Sequence, residues 1–171
     1  MRALVVYETL WGNTEKVARA IAAQLSNTMQ VDFVDVDSAP NSADGYDLLV
    51  VGGPTHAFSM TRASTRKNAV DQHQAPFAPK RGIREWLNVL APTEKHVQAV
   101  AFDTRANAPR LPGSAARAAK QELRSLGFEI PLKQKTFRVN GYEGPLVEGE
   151  LEKATEWGSE VSRAVSEQLA R

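Results

Sequence analysis

The sequence predicts an α/β domain of the doubly wound kind, a parallel sheet with helices on both faces, three layers in all. Three observations carry that expectation. Short apolar runs such as ALVVY (3–7) and DLLVV (47–51) lack polar alternation, as strands buried on both faces do. Apolar stripes at helical spacing lie between and after them, with Val17, Ile21 and Leu25 in one and Ile83, Trp86, Leu87 and Leu90 in another. Strand and helix signals then alternate about five times, along a length suited to one domain over residues 1–171.

Taken in order, Ala3 to Tyr7 is a buried strand and Thr14 to Leu25 a helix. VDFVDVD (31–37) reads as a half-exposed edge strand, where Asp32, Asp35 and Asp37 discourage edge pairing rather than hold a cation. Asp47 to Val51 is a second buried strand, which GGP ends. Residues 59–82 are longer than a compact crossover needs. Within them Thr61 is placed to cap a short helix through Val70, and Pro76 and Pro79 favour an extended return. Gly82 to Leu90 is a helix that Pro92 terminates, and Val97 to Phe102 is a strand. Ser114 fits the N-cap of a helix to Leu126, with Gly127 as its C-terminal glycine. A broken extended stretch, FEIPLKQKTFRVN, precedes a last helix from about Pro145 with Leu151, Ala154, Trp157, Val161 and Val165 on one side. Glu148, Glu150 and Glu152 suit the positive end of that helix. Trp86 and Trp157 lie on apolar stripes and are expected in the core.

Composition narrows the function. The chain has no cysteine, which excludes disulfides, thiolate metal sites and a cysteine nucleophile. The apolar run at Leu4 to Tyr7 is too short for an export signal or a membrane helix, so a soluble cytoplasmic protein with no membrane association is expected. Net charge is +1 but unevenly spread. Residues 1–60 carry 3 basic and 7 acidic side chains, residues 61–138 carry 15 and 6, and residues 139–171 carry 3 and 7. The basic middle suits an anionic ligand or an acidic partner. Nucleic acid is not expected, because no reader motif or aromatic-interleaved basic run accompanies the charge. His73 and His96 stand at no metal-ligand spacing, and no metal is expected.

The most informative stretch is YETLWGNT (7–14), a strand end running through a hydroxyl-rich turn into a helix. Free backbone N–H groups and the helix dipole converge at such a turn, which suits a phosphate. Thr9, Asn13 and Thr14 add side-chain donors, and Gly12 permits close backbone approach. There is no Lys or Arg in the turn, so any phosphate there is held by neutral dipoles alone. The lysine of the nucleoside-triphosphate loop is missing, as are the three glycines of the dinucleotide fingerprint.

VVYETLWGNT, from Val5 to Thr14, resembles the flavodoxin phosphate loop throughout. GGPTHAF (52–58) is similar to the second flavin loop of that family, and FDTR (102–105) stands where the third belongs. The resemblance spans nearly the whole chain. It implies a five-stranded parallel sheet in the order 2-1-3-4-5 that binds FMN noncovalently at its strand ends. Thr9, Leu10, Trp11, Gly12, Asn13 and Thr14 then hold the phosphate. Pro54, Thr55, His56, Ala57 and Phe58 edge one side of the isoalloxazine, and Asp103, Thr104 and Arg105 the other.

Departures from the family bear on partners. Many flavodoxins are strongly acidic, whereas this chain is near neutral with a basic middle, which disfavours basic reductases. The third loop offers Arg105 where many members stack an aromatic ring. Ala57 stands in the region where many have a glycine whose peptide turns toward the flavin N5. Trp11 replaces a small hydroxyl residue and so removes one donor. Arg62, Arg66, Lys67, Lys80 and Arg81 make segment 61–82 a basic flap, read as selecting a redox partner protein or a small anionic substrate. Two functions on this scaffold follow: an electron carrier, or an FMN-dependent oxidoreductase acting on a quinone or porphyrinogen. A phosphorylated receiver is disfavoured, because Gly52-Gly53-Pro54 and a single Glu8 replace its acidic cluster.

Overall fold

The computed structural model describes residues 1–171. The elements in order are β1 (Arg2–Tyr7), α1 (Asn13–Leu25), β2 (Gln30–Asp35), β3 (Leu48–His56), β4 (Ser59–Met60), α2 (Ala63–His73), α3 (Ile83–Val89), β5 (Gln98–Ala106), α4 (Ala115–Ser125), β6 (Lys135–Val139) and α5 (Glu150–Leu169). Five strands pair in parallel in the order β2-β1-β3-β5-β6, the expected 2-1-3-4-5 arrangement. The two-residue β4 adds an antiparallel partner to the end of β3.

Alternation along the strands divides the core into two. Ala3, Val5 and Tyr7 of β1 join Val17, Ile21, Leu25, Trp157, Val161 and Val165 beneath α1 and α5. Leu4 and Val6 face the other way and join Trp86, Leu87, Ala119 and Leu123 beneath α3 and α4. Trp86 and Trp157 are core residues as expected, and Trp86 Nε1 donates to the Pro40 carbonyl. The edge strand β2 is half-exposed along most of its length, again as its pattern predicts.

Several boundaries differ from the sequence reading: β5 runs on to Ala106 and α2 to His73, and three further differences have a clear physical cause. GGP does not end β3, which continues to His56 with Gly52, Gly53 and Pro54 opposite Phe102, Asp103 and Thr104 of β5. Gly52 is there for space: a Cβ on it would sit 1.9 Å from Phe102 Cζ. The proline is tolerated because β1 ends opposite Gly52, leaving β3 a neighbour on one side only. The last helix starts at Glu150 rather than near Pro145. Leu146 bridges to Val139, and the Val147 N–H donates to the Arg138 carbonyl, so this stretch extends the sheet edge instead. Glu150, not the exposed Leu151, then continues the buried stripe, its carboxylate accepting from the Arg138 N–H at 2.8 Å. Thr61 does not cap α2; it is fully buried, and Arg62 holds the N-cap position.

Candidate functional site

Three loops meet beyond the carboxyl ends of β1, β3 and β5, where ligands of open α/β sheets bind. The first runs from Thr9 to Thr14. Gly12, at φ 95°, turns the chain into α1, and no side chain caps that helix. Thr9 Oγ1 accepts the Gly12 N–H at 2.9 Å. The N–H groups of Asn13, Thr14 and Glu15 have no acceptor within the chain. Thr14 Oγ1 shares a 2.7 Å hydrogen bond with Thr104 Oγ1, which joins this loop to the end of β5. Leu10 packs against Ala69 and Ala75, so the segment after β4 pins the loop from behind. The Phe77 N–H donates to the Leu10 carbonyl at 3.2 Å.

The second loop is a hairpin tip. Ala57 and Phe58 have φ of 47° and 70°, and His56 pairs with Ser59 across them. Such two-residue turns favour Asn-Gly; placing two L side chains in the left-handed region costs roughly 1 kcal/mol each. The contact that holds the tip is Gly113, at φ 77°, where a Cβ would come 2.0 Å from the Phe58 carbonyl oxygen. Arg105 fixes the facing loop from the other side, donating to the carbonyls of Leu111 at 2.7 Å and Gly113 at 2.8 Å.

These loops enclose a cleft of about 170 Å³. Thr9, Leu10, Trp11, Asn13, Thr14, Pro54, Thr55, His56, Ala57, Phe58, Thr104 and Arg105 all line it. Two residues expected there do not. Gly12 is not among the lining residues, and its N–H is already spent on Thr9. Asp103 is fully buried on the α4 face, because β alternation puts Phe102 and Thr104 on the α1 face. Its Oδ2 accepts from Thr55 Oγ1, Ser114 Oγ and the Ala116 N–H, so it organises the start of α4.

Residues the sequence reading missed complete the wall: Ala106, Leu111, Val139, Gly141 and Tyr142. Tyr142 stacks on His73 with ring centroids 4.4 Å apart and meets Trp11 edge-on at 5.7 Å. The third loop brings no aromatic side chain to the cleft, and the turn after β6 does. The one signal for it in the sequence is an aromatic residue in a glycine-rich turn, NGYEG (140–144), just past a strand.

Burial holds His56 neutral: desolvation, with help from the Arg66 and His73 charges, brings its pKa down from 6.5 to about 4. The unfolded chain therefore binds an extra proton between these values. His56 contributes its stability fully above pH 6.5 and loses it as the pH falls toward 4. The loss by pH 4 is expected to be about 2 kcal/mol, discounted for partial exposure. His56→Gln should flatten that limb of a urea-midpoint profile, and an unchanged slope would show that His56 titrates normally.

Much of the positive charge expected to be free on segment 61–82 is engaged. Arg66 is buried and donates to Glu85 at 2.7 Å and to Thr61 Oγ1 at 2.9 Å. Thr61 in turn donates to Glu8, whose other oxygen accepts the Ile83 N–H at 2.8 Å. Burial raises the Glu8 carboxyl above its ordinary range. Arg81 donates to the carbonyls of Val36 and Ala39, and Lys67 pairs with Asp71. This network bolts the segment to the residue preceding Thr9; it is a brace for the first loop. Arg62 and Lys80 are its exposed cations without an ion pair.

The donor set at the first loop fits a phosphate ester. Uncapped helix N–H groups, two threonine hydroxyls and the Asn13 amide line one end of the cleft. Trp11 Nε1, in the same wall, is a buried donor with no partner in the chain. It leaves a free donor at the position where many family members carry a small hydroxyl residue.

A model of the flavodoxin domain family matches residues 4–117. Among solved structures, flavodoxin 1 from Bacillus cereus aligns over 95% of this chain and 98% of its own, with a TM-score of 0.67 and 19% identity. A flavodoxin from the domain Archaea aligns over 97% and 99%, with a TM-score of 0.63 and 16% identity. Rubredoxin:oxygen oxidoreductase from Desulfovibrio gigas matches 99% of this chain with only 37% of its own length, at 18% identity and a TM-score of 0.68. At these identities the structures establish the fold, while the domain match covers two thirds of the sequence, phosphate loop included. The chain belongs to the flavodoxin family and is an FMN-binding, flavodoxin-like electron-transfer protein.

Proposed function

We propose that the cleft between the three loops holds FMN and that the chain is a cytoplasmic carrier passing electrons to a separate redox protein. FMN supplies an isoalloxazine that takes up and gives back one or two electrons. Everything else is done by the chain. Thr9, Thr14, Asn13, Trp11 Nε1 and the open N–H groups at the start of α1 are the groups suited to the phosphate. The hairpin residues Pro54 to Phe58 stand on one side of the cleft, with Thr104, Arg105 and Tyr142 beside them. His56, uncharged at neutral pH, offers a polar ring without adding a cation to the wall.

The observation that carries the reading is the uncapped start of α1 with the orphaned Trp11 indole beside it. A buried, unsatisfied donor costs about 1–3 kcal/mol, a cost that a bound acceptor relieves. The carrier role is favoured over an enzyme by the cleft's rim, where Phe58, Leu111 and Tyr142 are exposed to an approaching surface. No helix is long and apolar enough to cross a membrane.

The expected result is that added FMN loses its fluorescence on titration with the chain, and that the complex releases FMN on denaturation. Absence of binding at high micromolar concentration would overturn the cofactor assignment. Turnover of quinones with NAD(P)H and no partner reductase would replace the carrier with the oxidoreductase.

A further inference from the structure

We propose that the part of the rim made by the β3–β4 hairpin tip and the loop before α4 is the docking face for an electron-transfer protein with an acidic surface. This rests on the carrier reading above and adds the chemistry of the partner. Phe58 is 56% and Leu111 39% exposed, and both line the cleft as well as facing outward. Their positions are fixed. Gly113 seats the hairpin tip against the loop, and the Arg105 guanidinium clamps the loop's own carbonyls. An exposed apolar pair on a rigid mount beside a cofactor cleft is a contact surface rather than a folding leftover.

The segments that form it carry cations and no exposed carboxylate. No carboxylate occurs from Pro54 to Val70 or from Thr104 to Gln121. Arg62, Arg110 and Arg117 in those segments are exposed and make no ion pair, in contrast to Arg66 and Lys67. The carboxylate beneath this face, Asp103, is fully buried and takes three hydrogen bonds from Thr55, Ser114 and Ala116. Across the cleft the sign reverses, since Glu143 is exposed beside Tyr142. A partner therefore meets a field that orients it, its acidic side toward Arg62, Arg110 and Arg117.

A protein suits this face better than a small anion. The three guanidinium groups come from three segments, the start of α2, the loop and the first turn of α4, with apolar side chains exposed beside them. They line no common pocket with one another. Small anions are gripped by converging donors, whereas acidic protein surfaces are steered by spread charge.

The test maps backbone amide shifts on the full chain, with and without one equivalent of FMN. A plant-type [2Fe–2S] ferredoxin serves as the acidic probe and mitochondrial cytochrome c as the basic one. The ferredoxin should shift amides in residues 57–62 and 110–117, and its binding should weaken roughly tenfold between about 20 and about 300 mM NaCl. Arg110→Glu with Arg117→Glu should abolish those shifts and leave FMN affinity as it was. Shifts centred elsewhere, insensitivity to salt, or equal shifts with cytochrome c would overturn the proposal. So would citrate reproducing the ferredoxin shifts, which would make this a small-anion site. Loss of FMN binding in the unsubstituted chain is a separate outcome: it removes the cofactor assignment, while the amide map still decides the docking face.

Discussion

Gly52→Ala is expected to destabilise the chain by about 3 kcal/mol, at the upper end for overpacking by one methyl group. The added Cβ would lie 1.9, 2.2 and 2.4 Å from three atoms of the Phe102 ring, so the ring itself must move. It has nowhere to go. Phe102 is 1% exposed and meets Phe137 and Trp157 edge-on, with centroids 6.0 and 6.2 Å away. Backbone adjustment is blocked too, because Gly52 pairs with both β1 and β5 and its carbonyl accepts the Glu8 N–H at 2.9 Å. For a domain of this size the melting temperature should fall by about 10 °C. Shortening the ring should recover part of the loss: Gly52→Ala with Phe102→Leu should be less destabilised than the sum of the two single variants. A melting temperature unchanged by Gly52→Ala would mean that Phe102 is not packed on this glycine.

The same glycine shows where sequence reading stops. Gly-Gly-Pro after a buried apolar run is a sound stop signal when only neighbours in the chain are considered. Here the glycine makes room for a side chain on β5, fifty residues later, and only the order of strands brings the two together. Glu150 makes the same point from the polar side. On its helix it is an ordinary first-turn acid, yet it is buried because β6 leaves the Arg138 N–H in need of an acceptor.

The strands and most helices were legible because each is encoded locally, by apolar runs, helical stripes and the Ser114 cap, whose side chain does accept the Arg117 N–H. The first loop was legible for the same reason: its hydroxyls, glycine and helix start are contiguous. Tyr142 and Leu111 were not, since their place in the wall depends on how turns after β6 and β5 come to lie beside β1. The charge of segment 61–82 was legible, but not where each cation points. Three arginines and two lysines in a run look like a solvated basic face, but Arg66 turns inward to Glu85 and Thr61 once α2 and α3 close over the end of β1. Burial of a cation cannot be seen until its counter-ion, nineteen residues on, is placed.

Thr9→Val with Thr14→Val is expected to weaken FMN binding by roughly two to four orders of magnitude, at about 1.5–3 kcal/mol for each hydrogen bond to a charged acceptor. Thr9 has a proton available for a ligand, and the Thr14–Thr104 pair has a second. Thr9 Oγ1 accepts from Gly12 and still carries its own O–H; Thr14 and Thr104 share a single hydrogen bond, which leaves one of their two protons free. Valine keeps the shape and removes the donors. Thr14→Val also leaves Thr104 Oγ1 without its partner, so Thr104→Val is the control that breaks the same internal bond while sparing the loop hydroxyl. Riboflavin separates phosphate recognition from general damage, since it carries the same ring without the dianion. The double variant should lose affinity for FMN far more than for riboflavin, as read by flavin fluorescence, with its melting temperature close to that of the Thr104→Val control. Equal losses for both flavins would place the effect in the ring cleft, and no loss for FMN would remove these threonines from the phosphate site. With no lysine or arginine in the loop to compensate, neutral donors are all that the first turn has to offer a dianion.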